Sequence, residues 1–340
     1  MAPMKLIHLL HRYLSVALTF FQSIISCLFD DNNHRILHFL EYPILIKFVD
    51  AILSLYFWVF CDLRPITVDI DGDSTVHFWV SGHRKFERKN LVMLHGYGGN
   101  SKWQFVHQVA DLSKSFNVFI PDMVFFGKSY SKRSDRSVEM QARCVGLGMV
   151  KGLGVGRFSV YSISYGGFVA YRMAEIWPET VEKVVIVSSG VGFTEEQKTA
   201  EMKKYGDRDL SEILVPRSPH DLRLLVRASM NTGLTHFEWV PDFVLSQFIA
   251  VMYEKNRKEL IELAKNLLAT EENPDLPAIK QETLIVWGEN DKIFPVQFAH
   301  GLRRLLPNSR LEIIKEIGHA VNIEAPGALN NFIISFVLDR

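Results

Sequence analysis

Short apolar runs that end in small or polar turn residues recur along the chain and read as buried strands. They cover 91–94, 157–161, 183–188, 283–287 and 310–315. Helical spacing follows several of them. The stretch 168–177 has no breaker until Pro178, a helix opens near Ser101 after a glycine-rich loop, and another opens near Ala325-Pro326. Strands alternating with helices in this way predict an α/β protein with a mainly parallel sheet. The long interval 192–277 is rich in helix formers, strongly periodic over 255–269, and interrupted by Pro216, Pro219, Pro241, Pro274 and Pro277.

The first sixty residues differ. Positions 13–29 carry no charge, with Lys5, His8, His11 and Arg12 before them and Asp30 and Asp31 after. Seventeen residues lie at the lower limit for a bilayer span, and no small-x-small cleavage site follows, so the run reads as a signal anchor. Positions 43–61 have helical period. Leu45, Phe48, Val49, Ile52, Tyr56, Val59 and Phe60 share one face, and Lys47, Asp50 and Ser54 mark the other. Interior charge argues against a span. A helix packed on the body of the protein and a helix resting on lipid fit equally well.

At 340 residues and 48% hydrophobic content the chain can bury one large core. Lysine plus arginine equals aspartate plus glutamate at 38 each, which gives no electrostatic basis for binding nucleic acid. Cys27, Cys61 and Cys144 are widely spaced, without metal-site or redox spacing, and read as buried or free thiols.

Chemistry enters at Val160-Tyr161-Ser162-Ile163-Ser164-Tyr165-Gly166-Gly167, where a strand runs into a small-residue turn and then a helix. A serine hydroxyl is a weak nucleophile at neutral pH. It needs a sharp turn to expose it, a histidine to take its proton, and amide donors for the developing oxyanion. Gly166 fits the turn, and Ser162 stands where a glycine is usual. By itself this pattern is also that of an ordinary strand-helix junction. Asp291, just past the strand 283–287, and His319, just past 310–315, would each read alone as a solvated loop residue. Together with Ser164 they follow the chain order serine, aspartate, histidine, each at a strand end, which is the order of α/β-hydrolase folds. The loop His95-Gly96-Tyr97-Gly98-Gly99-Asn100 supplies the remaining part. The backbone N–H groups of Tyr97 and Tyr165 are expected to form the oxyanion hole, with His95, Gly96, Gly98 and Gly166 shaping the turns. This chemistry requires no metal or organic cofactor.

The chain resembles α/β-hydrolase-fold serine hydrolases of the branch containing monoacylglycerol lipases and bacterial meta-cleavage-product hydrolases, and most of all plant members of that branch. The likeness rests on Leu63-Arg64-Pro65, His77-Phe78-Trp79-Val80, His95-Gly96-Tyr97, Pro121-Asp122 with Phe126-Gly127-Lys128-Ser129, Ser164-Tyr165-Gly166-Gly167, Trp287-Gly288-Glu289-Asn290-Asp291 and Gly318-His319. It implies a mostly parallel eight-stranded sheet flanked by helices, built from 63–191 and 278–340, with a helical cap inserted over 192–277. Residues 36–62 would form the amphipathic helical segment and 1–35 the hydrophobic anchor. Epoxide hydrolases and haloalkane dehalogenases of the superfamily use aspartate where this chain has Ser164, so those chemistries are not expected. Asp122 is given no catalytic role. The expected activity is hydrolysis of a small lipophilic ester, such as a monoacylglycerol, through an acyl-enzyme on Ser164. The alternatives are carbon–carbon hydrolysis of a vinylogous diketone and a receptor-like protein with little turnover. The anchor would place the protein on a membrane, in the endoplasmic reticulum or the secretory pathway.

Overall fold

A computed structural model describes residues 42–193, 196, 210–232, 237–270 and 277–340. The expected anchor at 1–35, with its uncharged run 13–29, lies outside the described residues. Among the described residues no helix is long and apolar enough to cross a membrane.

Among the described residues the strands are β1 (Leu63–Asp69), β2 (Ser74–Ser81), β3 (Asn90–Leu94), β4 (Asn117–Pro121), β5 (Tyr130–Ser131), β6 (Phe158–Ile163), β7 (Val181–Val187), β8 (Glu282–Gly288) and β9 (Ser309–Ile314). Eight of them form a continuous sheet in the order β1-β2-β4-β3-β6-β7-β8-β9. The two-residue β5 pairs with β2. β2 is antiparallel to β1 and β4, and from β4 through β9 every neighbour is parallel. A parallel sheet needs helices on both faces, and the alternation of side chains along each strand provides for it. Val92, Leu94, Val160, Val184 and Ile186 point into one core. Leu91, Met93, Tyr161, Val185 and Val187 point into the other.

The helices are α1 (Ile44–Leu55), α2 (Ser101–Phe105), α3 (Val109–Ser115), α4 (Val138–Leu147), α5 (Tyr165–Ile176), α6 (Leu210–Leu214), α7 (Pro219–Ser229), α8 (Asp242–Met252), α9 (Arg257–Thr270), α10 (Gln297–Leu305), α11 (Val321–Glu324) and α12 (Pro326–Val337). α4 and α5 cover the first core, and α3 and α12 cover the second. α6 to α9 all lie between β7 and β8 in the chain. Cys61 and Cys144 are buried free thiols.

α1 departs from the single-faced helix read in the sequence. Leu45 and Ile46 pack with Val244 of α8, and the Leu45 N–H donates to Gln247 Oε1 at 3.0 Å. Asp50 and Ser54 point inward as well. The nearly buried Lys102 donates to Asp50 Oδ2 and Ser54 Oγ, each at 2.7 Å, and Trp103 Nε1 donates to Asp50 Oδ1 at 3.1 Å. Phe48, Val59 and Phe60, expected to share a face with Leu45 and Tyr56, are exposed. The reason is twofold. Lys102, far along the chain, draws the polar side inward, and a π-turn over Tyr56–Phe60 rotates the last residues so that Phe57 is buried instead.

An ammonium held this far from water depends on its counter-ion. Asp50→Ala is expected to lower stability by about 3 kcal/mol, and adding Lys102→Met should recover most of that loss. Urea unfolding of the two variants measures both effects.

Candidate active site

Every element of the site sits at the carboxyl edge of the parallel strands, where open α/β sheets place their ligands. β6 ends at Ile163, and Ser164 turns the chain into α5 with φ 54° and ψ −121°. A non-glycine residue in that region costs about 1–3 kcal/mol and persists only where its surroundings enforce it. Here the Ser164 N–H donates to the Val187 carbonyl of β7, and the Ser164 carbonyl accepts from the Gly167 N–H, each at 2.9 Å. A side chain at Gly166 would lie 2.4 Å from the Leu94 carbonyl, and one at Gly96 would lie 2.9 Å from Ser164 Cβ. Both glycines are therefore required by close approach. Ser162 occupies the usual glycine position without strain because its hydroxyl donates to the Val185 carbonyl at 2.8 Å.

The three side chains distant along the chain meet. His319 Nδ1 is 2.9 Å from Asp291 Oδ2, and His319 Nε2 is 2.9 Å from Ser164 Oγ. A carboxylate accepts only, so Nδ1 carries the imidazole proton, which leaves the Nε2 lone pair facing the serine hydroxyl. The Asp291 side chain is fully buried, and its second oxygen accepts the amides of Ile293 and Phe294, each at 2.8 Å. The Phe294 ring lies edge-on to the imidazole, 5.6 Å between centroids. This arrangement can pass a proton from the hydroxyl to the ring while the carboxylate fixes the ring's tautomer.

The glycine-rich loop runs beside the serine because β3 pairs with β6. Gly98 adopts φ +105°, a conformation that favours glycine. His95 is buried. Its Nε2 accepts the Met123 N–H at 3.0 Å, so Nδ1 is the donor to the Gly96 carbonyl at 2.8 Å. The Tyr97 hydroxyl donates to the Leu260 carbonyl of α9 at 3.0 Å. Tyr165 is the first residue of α5, and with Tyr97 it borders the cavity above Ser164. Asp122 lies apart from the relay and accepts from the Ser101 amide and hydroxyl at 3.1 and 2.6 Å.

Two residues that the sequence reading missed hold these loops. Gln104 Oε1 accepts the Gly96 N–H at 2.8 Å, and its Nε2 donates to the carbonyls of Gly96 and Tyr97 at 2.8 and 3.1 Å. Glu324 Oε1 accepts the Gly318 N–H at 3.0 Å, while Oε2 accepts the amides of Asn231 and Thr232 at 2.9 and 2.6 Å. The histidine loop is thereby tied to the segment that follows α7. The signal available for Gln104 is a polar residue between Trp103 and Phe105 on a short apolar helix. Glu324 lies five positions after His319 and carries no signal of its own.

The cavity over Ser164 measures about 430 Å³. α7 and α8 contribute Leu222, Leu225, Val244 and Phe248 to its lining, the sheet side contributes Phe168 and Phe294, and α1 contributes Ile46. Among the described residues His319 is the one imidazole in that lining, and no lysine, arginine, aspartate or glutamate joins it.

Residues 91–332 match the Alpha/beta hydrolase family. The chain belongs to that family. The protein is a hydrolase with the fold that family shares, and its relatives include members of the branch that the sequence motifs resemble. It is similar to the 2-hydroxy-6-oxononadienedioate/2-hydroxy-6-oxononatrienedioate hydrolase of Pseudomonas sp, 27% identical over 262 residues, which cover 73% of this chain and 87% of that one. It is similar also to monoacylglycerol lipase ABHD6 of Homo sapiens, 24% identical over 298 residues, 84% of this chain and 87% of that one. Among solved structures, a bacterial membrane phospholipase A superposes with a TM-score of 0.72 at 18% identity, over 97% of this chain and 98% of that one, which shows a common fold.

Burial pushes the His95 imidazolium below its ordinary value of 6.5, and His77 is shifted in the same direction for the same reason. The unfolded chain then binds more protons than the folded one just below pH 6.5. The contribution to stability is whole above that pH and falls as the pH drops toward the folded values. Urea midpoints taken at about pH 7 and about pH 5 should fall with pH, and His95→Gln should remove part of the slope.

Proposed function

We propose that this hydrolase is a serine carboxylesterase or lipase that cleaves neutral lipophilic esters, with monoacylglycerols as the natural size class. Ser164 Oγ attacks the ester carbonyl as its proton passes to His319 Nε2. The amides of Tyr97 and Tyr165 receive the oxyanion, an interaction whose loss typically costs on the order of 100-fold to 1000-fold in rate. His319 then gives the proton to the departing alkoxide, which leaves an acyl group on Ser164. A water molecule, deprotonated by the same nitrogen, releases the acid and restores the hydroxyl. The Asp291 carboxylate balances the transient imidazolium. Helices α6 to α9 serve as the cap that excludes water and receives the acyl chain.

The observation that carries this reading is the lining of the cavity. The substrate named for the Pseudomonas relative is a dioate with two carboxylates, and burying each requires a paired cation or strong donors. The described lining offers hydrocarbon and aromatic surface instead, over Leu222, Leu225, Val244, Phe168 and Phe294. A neutral acyl chain gains from every one of those contacts, whereas a carboxylate would meet no lysine or arginine in the described lining.

Steady-state kinetics on p-nitrophenyl esters of graded chain length, on monoacylglycerols and on a 2-hydroxy-6-oxo-dienedioate separate the alternatives. The neutral esters are expected to exceed the dioate in kcat/KM by at least on the order of 100-fold. A preference for the dioate would overturn the reading. Asp291→Asn, which offers the imidazole the wrong hydrogen-bonding partner, should lower kcat by roughly 10⁴-fold with the fold retained by circular dichroism.

A further inference from the structure

α1 is amphipathic in the inverted sense. Its carboxylate faces inward, where Asp50 and Ser54 satisfy Lys102. The outer side of α1 and of the π-turn that follows it is an apolar stripe of Ile44, Phe48, Ala51, Leu55, Trp58 and Val59, the first four spaced at i, i+4, i+7 and i+11 and all six exposed. Phe48 is 58% exposed, Leu55 51% and Trp58 52%. The stripe extends on the order of 20 Å along the helix, too short to cross a bilayer and long enough to lie along one.

We infer that this stripe is a lipid-docking face, inserted into the surface of a bilayer so that the cavity opens next to the membrane. Three observations select lipid as the occupant. The chain preceding Tyr42 carries the uncharged run 13–29, which ends shortly before the stripe begins. The outward residues combine large rings with the exposed Lys47, the mixture that settles at a bilayer interface. Ile46, two positions from Phe48 on the same helix, lines the catalytic cavity together with Trp103. Docking by this face therefore brings the source of acyl substrate to the cavity. That last consequence rests on the ester-hydrolase reading, whereas insertion of the stripe does not.

Fluorescence quenching of the full-length protein by vesicles of brominated phosphatidylcholine reads the insertion directly. Trp58 is expected to be quenched, so that Trp58→Phe abolishes most of the vesicle-dependent quenching although the protein still floats with the vesicles. Quenching that is equal in Trp58→Phe, or absent while the protein floats, would overturn the inference, because the membrane would then be gripped elsewhere. A vesicle-independent dimer in sedimentation velocity that is lost in Phe48→Ser/Leu55→Ser would also overturn it, by making a second copy the occupant. The kinetic arm compares Phe48→Ser/Leu55→Ser with the native protein. A fall of ten-fold or more is expected on monoacylglycerol embedded in vesicles, with p-nitrophenyl acetate hydrolysis unchanged. Equal rates on embedded substrate would count against docking, whereas failure of the native protein to hydrolyse either substrate would count against the ester reading and leave the quenching result standing.

Discussion

The left-handed backbone at Ser164 is the constraint on which the rest of the site depends. An L-residue avoids that conformation unless the surrounding structure enforces it. Enforcement comes from three strands: β6 delivers the residue, β7 accepts its amide at Val187, and β3 brings the Leu94 carbonyl so near to Gly166 that no side chain fits. The same constraint aims the hydroxyl at His319 and begins α5 immediately afterwards. Strand pairing, glycine placement and helix start are thus one arrangement, and the relay is its product.

A second layer of contacts joins this arrangement to the helices above it. Gln104 fixes the glycine-rich loop from α2, and Lys102 on the same short helix fixes α1 through Asp50. Glu324 binds the histidine loop to the segment that follows α7. Tyr97 reaches α9 through its hydroxyl. Both loops next to Ser164 are therefore held from the side of the sheet and from the side of the helices that line the cavity. A shift of those helices would be felt at His319 and Tyr97.

Much of this was legible in the sequence because it is local. The strands and the loop positions of Ser164, Asp291 and His319 follow from runs that end in turn residues, and the order of the three residues removed the ambiguity of each. Boundaries were less legible. β6 continues to Ile163 and α5 begins at Tyr165, closer to the serine than helical spacing alone suggested, because Ser162 finds a carbonyl partner on a neighbouring strand. Gln104 and Glu324 escaped notice because their partners are backbone groups, which leave no mark in a residue pattern. α1 was misread for a related reason. Periodicity displays a polar side but cannot reveal that Lys102 waits for it inside the protein.

The proposed reaction requires that a single hydroxyl, that of Ser164, become covalently bonded during turnover. Trapping with a fluorophosphonate followed by peptide mapping in a mass spectrometer tests it most directly. One adduct, on the peptide containing Ser164 and absent from Ser164→Ala, is the predicted result. An adduct on another residue, or labelling that survives Ser164→Ala, would contradict it.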